Sequence, residues 1–450
     1  MLTVERPTVP SPRDDGLVDA AVAPIIRHGR GSTMLMAALA VPVLAAVGAW
    51  VYQVSHGLSV TGLNSQVFWG VYEVDLVTFI GFSYGGALVS AILRLTGAHW
   101  RGPITRLAEG TAVVTLCVGA VFPIIHLGHP ERLWEMFVRP NPTSPLLWDM
   151  VAIITYLLAT LALFVLPLVP DVAAAAEQPD IGERRRRLYL RMAAGWLGTP
   201  EQRRVLDRAL TVVAVGIVPL AVMVHTVLSY AFSLTSRPGW HSTIFGPYFV
   251  VAAVYSGVAI VILATAAYRR AYHLEAWIPA LAIRYLGYLM VALAATYAYF
   301  LFTEVTTEGY VSERTTEGVL YVLLLKRYAP LFWTFVALGL VTPVLLVTIR
   351  RTVGAITAAA GLVVGALWLK RFLMFVPPLT QPLIGGSFGR YSPSWVEWTI
   401  SVGAAAAVPL LLILLFRVLP VLSIDEMAHP EPPAGDVSAR GLDDTEGVSR

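Results

Sequence analysis

Apolar runs of about twenty residues recur ten times along this chain, near 34–54, 68–93, 106–127, 146–168, 210–233, 247–268, 281–302, 329–349, 354–375 and 395–419. A helix of that length crosses the hydrocarbon core of a bilayer. The runs do not alternate strictly between apolar and polar positions, as strands would. Lipid offers the backbone no hydrogen bonds, so only helices or closed barrels satisfy it there. The pattern therefore predicts an all-α integral membrane protein with ten transmembrane helices over 34–419. Residues 1–33 are polar and Pro-rich and read as a partly disordered N-terminal extension. They are too long for the lead of a signal peptide, so the first span is expected to be retained. Residues 171–209 form the longest internal polar stretch. Its "GERRRRLYLRMAAGW" reads either as a basic helix on the membrane surface or as a solvated loop. Residues 420–450 read as a disordered tail. No internal sequence repeat is visible.

Composition sharpens this picture. The 450 residues are 56% hydrophobic and only 14% charged, against roughly a quarter charged in soluble chains. Membrane lipid is the expected surrounding, and no nucleic-acid partner is expected. The one cysteine, Cys117, cannot make an internal disulfide, hold an iron–sulfur cluster or attach a c-type haem. It reads as a small core residue. With the N-terminus placed inside, 23 of the 32 Lys and Arg residues fall on the inner side. The positive-inside rule then predicts a multi-pass protein of the cell inner (plasma) membrane, with both termini cytoplasmic.

Ionisable groups inside spans are costly and functional by default. On this topology Glu73 and Asp75 lie near the outer end of span two, and His126 at the outer end of span three. Asp149 lies at the start of span four, His225 in the outer half of span five, and Lys370 and Arg371 near the end of span nine. All seven fall in one leaflet and are expected to line one cavity, with Tyr72 beside Glu73 as a further candidate. Such a cavity suits proton-coupled redox of a lipid-soluble ring. A quinol gives up two protons with two electrons, and its hydroxyls need acceptors such as histidine or carboxylate. Histidine titrates near neutrality and can pass the proton on. Against this, groups at helix ends can snorkel to the headgroups, and His126, near Pro123, can simply bond a backbone carbonyl. His225 lies deeper and is harder to explain that way. Trp69, Trp134, Trp148, Trp240, Trp333, Trp395 and Trp398 read as an aromatic belt. Gly81 and Gly85 in "GFSYGG" read as a small-residue face for close helix packing. A secondary transporter or proton-translocating protein would place polar groups at the midplane. A b-type cytochrome would have only His126 and His225 to pair. A membrane anchor without a quinone site also stays open.

Several stretches together resemble the polysulfide reductase NrfD family, most closely the membrane subunit of alternative complex III. They are "WGVYEVDLVTFIGFSYGGALVSAILRLTGAHWRGPITRLAE" (69–109), "FPIIHLGHPERLW" (122–134), "SPLLWDM" (144–150), "PGWHSTIFGPYFVVAAVYSG" (238–257) and "RYSPSWVEW" (390–398). The resemblance covers roughly residues 35–425. It implies two four-helix bundles plus flanking helices, and no covalently bound cofactor. It also implies a quinone or quinol (menaquinone or ubiquinone) as substrate, and an iron–sulfur subunit docked on the outer face. A molybdopterin-type or c-type haem subunit would lie beyond that. His126 and Asp149 match the family's quinol-site histidine and aspartate, so they are the expected catalytic pair. Tyr72, Glu73, Asp75, His225, Lys370 and Arg371 are quinone-binding candidates, and no metal ligands are expected. The chain also departs from the pattern. Ala231 stands where relatives carry an aspartate six residues after the span-five histidine. Lys370–Arg371 replaces a glutamate–arginine pair, and Asp75 replaces a common amide.

Overall fold

The structure is a computed structural model that describes residues 12–429, except 28, 99, 236, 312–313 and 383–387. Of the partly disordered extension expected over 1–33 and the disordered tail expected over 420–450, residues 1–11 and 430–450 fall outside the described residues, whereas Pro12–Ile26 forms a helix whose Leu17, Val18, Ala21, Val22 and Ile25 are buried. All ten expected spans are helices, and the described residues contain no strand. They are α1 (Arg30–His56), α2 (Val71–Leu95), α3 (Gly102–His126), α4 (Pro145–Val165), α5 (Pro200–Ser233), α6 (Phe245–Ala271), α7 (Ala280–Val311), α8 (Ala329–Arg350), α9 (Val353–Thr380) and α10 (Trp395–Phe416).

Local chemistry sets several starts. Thr199 caps α5 and Ser394 caps α10, each with a reciprocal bond from the Gln or Glu three residues on. Pro145 and Pro200 open α4 and α5, where the missing N–H costs nothing. Inside α8, two π-helical stretches, Ala337–Val341 and Leu346–Arg350, interrupt the regular winding.

Packing divides the helices into two bundles. α2, α3, α4 and α5 contact one another in a closed ring, and α6, α7, α8 and α9 form a second. α2 and α6 meet at the seam, joined by α5–α6 and α2–α9 contacts, while α1 and α10 pair outside the first bundle. Gly81 and Gly85 of α2 face this seam, whereas Gly86 turns to α3 within the first bundle. A Cβ on Gly85 would collide with the Gly257 backbone of α6, and one on Gly86 with the Ala108 carbonyl of α3. α2 is accordingly buried nearly all round, whereas Val41, Leu44 and Val51 of α1 are exposed, as suits a lipid-facing flank. Cys117 is exposed on α3, not a core residue as the sequence suggested.

The ten helices alternate in direction, so one end of the molecule carries His126 and the other most of the arginines. The arginine end is closed by the chain's own C-terminal segment. Residues 420–429, expected as the start of a disordered tail, are folded there, with a short helix at Ile424–Ala428. Glu426 meets Arg94 at 3.1 Å and Arg101 at 3.0 Å, and Asp425 meets Arg203 at 2.6 Å. The Asp425 N–H donates to Asp171, whose other oxygen pairs with Arg106 at 2.6 Å. Glu109, buried on α3, also reaches Arg106 and accepts from Ser90 at 2.7 Å. Acids from elsewhere in the chain, with Glu109 from the same helix, thus pair with arginines that read from the sequence as membrane-flanking charges. The basic stretch in 171–209 contains a helix, Glu183–Met192, anchored by buried Tyr189 donating to the Val418 carbonyl at 2.5 Å.

Candidate functional site

Glu73 and Asp75 are both on α2, two residues and so about 200° of helix apart. They cannot face one cavity. Glu73 turns toward α3, where its Oε2 lies 3.7 Å from His126 Nδ1. Asp75 turns the other way and accepts from Trp368 Nε1 of α9 at 2.7 Å and from Ser401 of α10 at 2.5 Å. The same geometry separates Lys370 from Arg371, about 100° apart on α9. Lys370 pairs with Glu304 of α7 at 3.2 Å. Arg371 points to the seam and donates to Ser256 of α6 at 2.9 Å. The expectation of one cavity lined by all seven groups is therefore corrected, because adjacent positions on a helix point to different neighbours.

His126, Glu73, Tyr72 and Asp149 do come together, where α2, α3 and α4 meet at one end of the first bundle. His126 is the last residue of α3, and its side chain is 19% exposed. Its Nε2 lies 3.2 Å from the Phe68 carbonyl in the loop before α2. A carbonyl only accepts, so this bond places the hydrogen on Nε2 and leaves Nδ1 of a neutral ring as an acceptor facing Glu73. Asp149, in the first turns of α4, is 9% exposed, and its Oδ1 has no hydrogen-bond partner in the protein. Tyr72 is buried with its ring 6.2 Å from the His126 ring. Its hydroxyl donates to Gln53 Oε1 at 2.5 Å, and Gln53 Nε2 donates to the Ile125 carbonyl at 2.8 Å. Gln53 was missed in the sequence. Its signal was a lone amide near the end of the otherwise apolar first span.

The remaining groups lie elsewhere. His225 is fully buried against Tyr84, ring centroids 4.3 Å apart, and Tyr84 stacks on Tyr156 at 4.6 Å. Glu304 and Glu308 were also missed, because α7 runs to Val311 while the apolar run ends near 302. Glu397 was missed too. It is buried in the α10 capping box, where it accepts from Tyr391 at 2.6 Å and from the Gly62 N–H at 2.6 Å. Two belt tryptophans are corrected. Trp240 is 2% exposed and donates to the Met374 carbonyl, and Trp69 packs on Phe232 and Trp240. Trp134, Trp148, Trp333, Trp395 and Trp398 are exposed, as a belt requires.

Chemically, the His126 cluster offers a pinned imidazole with a free acceptor nitrogen, a carboxylate within ion-pair reach and a second carboxylate oxygen without a partner. It sits where buried helix meets exposed Phe68, Val121 and Leu146. That arrangement can take protons from an amphipathic ring arriving through lipid.

Known proteins resemble the chain over nearly its whole length. It is 27% identical over 418 residues to a putative dimethyl sulfoxide reductase membrane subunit of Halobacterium salinarum, covering 87% of this chain and 92% of that protein. It is 24% identical over 400 residues to a selenate reductase subunit of Mesobacillus selenatarsenatis, covering 84% and 91%. The integral membrane subunit of an Hdr-like menaquinol oxidoreductase of Archaeoglobus fulgidus is 24% identical over 407 residues, covering 85% and 93%. Residues 59–382, from the loop before α2 to the end of α9, match the family model of NrfD, polysulphide reductase. With that match over most of its length, and with ten membrane-crossing helices, the chain belongs to the NrfD polysulphide reductase family of membrane subunits.

Proposed function

We propose that this chain is the quinone-reactive membrane subunit of a respiratory oxidoreductase complex. It exchanges electrons between a membrane pool of menaquinone or ubiquinone and an iron–sulfur subunit docked at the His126 end. A molybdopterin-type or c-type haem subunit lies beyond that partner. The His126 end faces outward from the inner membrane, and both termini are cytoplasmic. The arginine distribution supports this orientation. The names of the relatives, two reductase subunits and a menaquinol oxidoreductase subunit, support membership of a multisubunit oxidoreductase, and the last of them supports a quinol as substrate.

The observation that carries the reading is His126 Nδ1 facing Glu73 at 3.7 Å while Nε2 is held by the Phe68 carbonyl. Two acceptors facing each other favour a proton, or a hydroxyl that brings one, between them. One quinol hydroxyl gives its proton to His126 Nδ1, and the imidazolium is then paired by Glu73. Asp149 Oδ1 takes the second proton or passes the first one on. Oxidation of one quinol releases two protons by this route and two electrons to the partner's clusters, and quinone reduction is the reverse.

The test is fluorescence quenching of a quinol-analogue inhibitor by membranes carrying the chain, compared with His126→Ala and Asp149→Asn. Saturable quenching in the parent, lost in both variants, is expected. Equal quenching in all three would remove these residues from the site. Absent quenching by folded parent protein would overturn the reading itself.

A further inference from the structure

Arg371 is 2% exposed in the seam between the bundles. One of its terminal nitrogens donates to Ser256, and the guanidinium lies against Gly81 of α2, where a Cβ would come within 2.7 Å. Gly81 is therefore small to admit a charge, not only to bring helices together. The other terminal nitrogen, Nη1, has no acceptor in the protein. His225 is 0% exposed, and neither of its ring nitrogens has a partner. Both residues line one cavity between α2, α5, α6, α7 and α9, together with Val77, Phe249, Tyr297 and Met374.

Charge decides what fits there. Arginine stays protonated in proteins. Lys370, its neighbour, is neutralised by Glu304, but among the described residues Arg371 has no ion pair with a carboxylate. Burying an unpaired cation within a membrane span is costly. A neutral imidazole carries one N–H donor. Two donors thus face the same cavity, one of them on an uncompensated cation. The cavity is small and takes a single small occupant at most. A water satisfies the donors but leaves the charge. A tetrahedral oxyanion is too large. We propose that the seam between the bundles is a binding site for one small monovalent anion of the halide class, held by Arg371 and His225. The site is independent of the quinone reading.

The experiment uses the full chain in detergent micelles, exchanged into sodium gluconate and titrated with chloride or bromide at constant ionic strength. A saturable rise in Tm, about 3 °C at a hundredfold excess over Kd, is expected with both halides and not with sulfate. Arg371→Met is expected to lose the halide response while matching the parent in gluconate. A purely structural guanidinium would lower Tm in every salt. Should that variant fail to fold, the parent alone decides: bromide anomalous density within about 3.5 Å of Arg371 Nη1 supports the site. A halide-insensitive parent with no bromide peak there would leave only a water and overturn the proposal.

Discussion

Asp75 illustrates how one residue type serves two purposes two positions apart. Glu73 meets a histidine at the rim of the first bundle. Asp75 ties α2 to α9 and α10 through Trp368 and Ser401. Replacing Asp75 by Ala leaves the Trp368 N–H without its acceptor, whereas Ser401 keeps a second one, the Glu397 carbonyl at 2.9 Å. The expected cost is about 1–3 kcal/mol, read by denaturation in micelles, with quinol-analogue quenching retained. Lost quenching at unchanged stability would return Asp75 to the quinone site. Position along the helix was legible for these residues from span boundaries alone. Rotation about the helix was not, because the helix between Glu73 and Asp75 is buried on every side and gives no polar face to read.

At the scale of elements, helix existence was legible and helix ends were less so. The seventh apolar run stops near 302 because Glu304 and Glu308 lower its hydropathy, yet the backbone continues as α7 to Val311. That extension supplies the partner of Lys370, 66 residues away in sequence. An acid is thus supplied from another helix, but it pairs with Lys370 and leaves Arg371 without a carboxylate partner among the described residues. A buried pair is costly to break from one side and cheap to remove from both. Glu304→Gln or Lys370→Gln alone is expected to cost about 3–5 kcal/mol, and the Glu304→Leu/Lys370→Leu double variant clearly less than the sum of its singles. A double-mutant cycle of unfolding free energies checks this. Strict additivity would mean that the pair, with side chains 10% and 3% exposed, is not coupled.

For the whole molecule, the count of ten helices and their alternation could be read from hydropathy, because each span must satisfy its own backbone in lipid. The two-bundle partition came from family resemblance, since which apolar face meets which is not encoded in hydropathy. The arginines were legible as end markers, but their partners were not. Asp425 and Glu426 sit in a segment whose composition reads as tail, and they become structural only when α2, α3 and α5 bring Arg94, Arg101 and Arg203 beside them. This network and the His126 cluster lie at opposite ends of α2, roughly 35 Å apart for a helix of 25 residues. Asp425→Asn combined with Glu426→Gln should therefore destabilise the fold without disturbing the other end. The expected cost is about 2–4 kcal/mol, below that of a fully buried pair because Arg203 and Asp425 are 33% and 27% exposed. Part of that difference should disappear in high salt, where exposed charges are screened. Unfolding midpoints at low and high salt measure the first effect, and quinol-analogue quenching by the folded double variant measures the second. Quenching lost at full folding would mean that the two ends are coupled through α2, and the protein would then transmit charge changes at the arginine end to the site at His126.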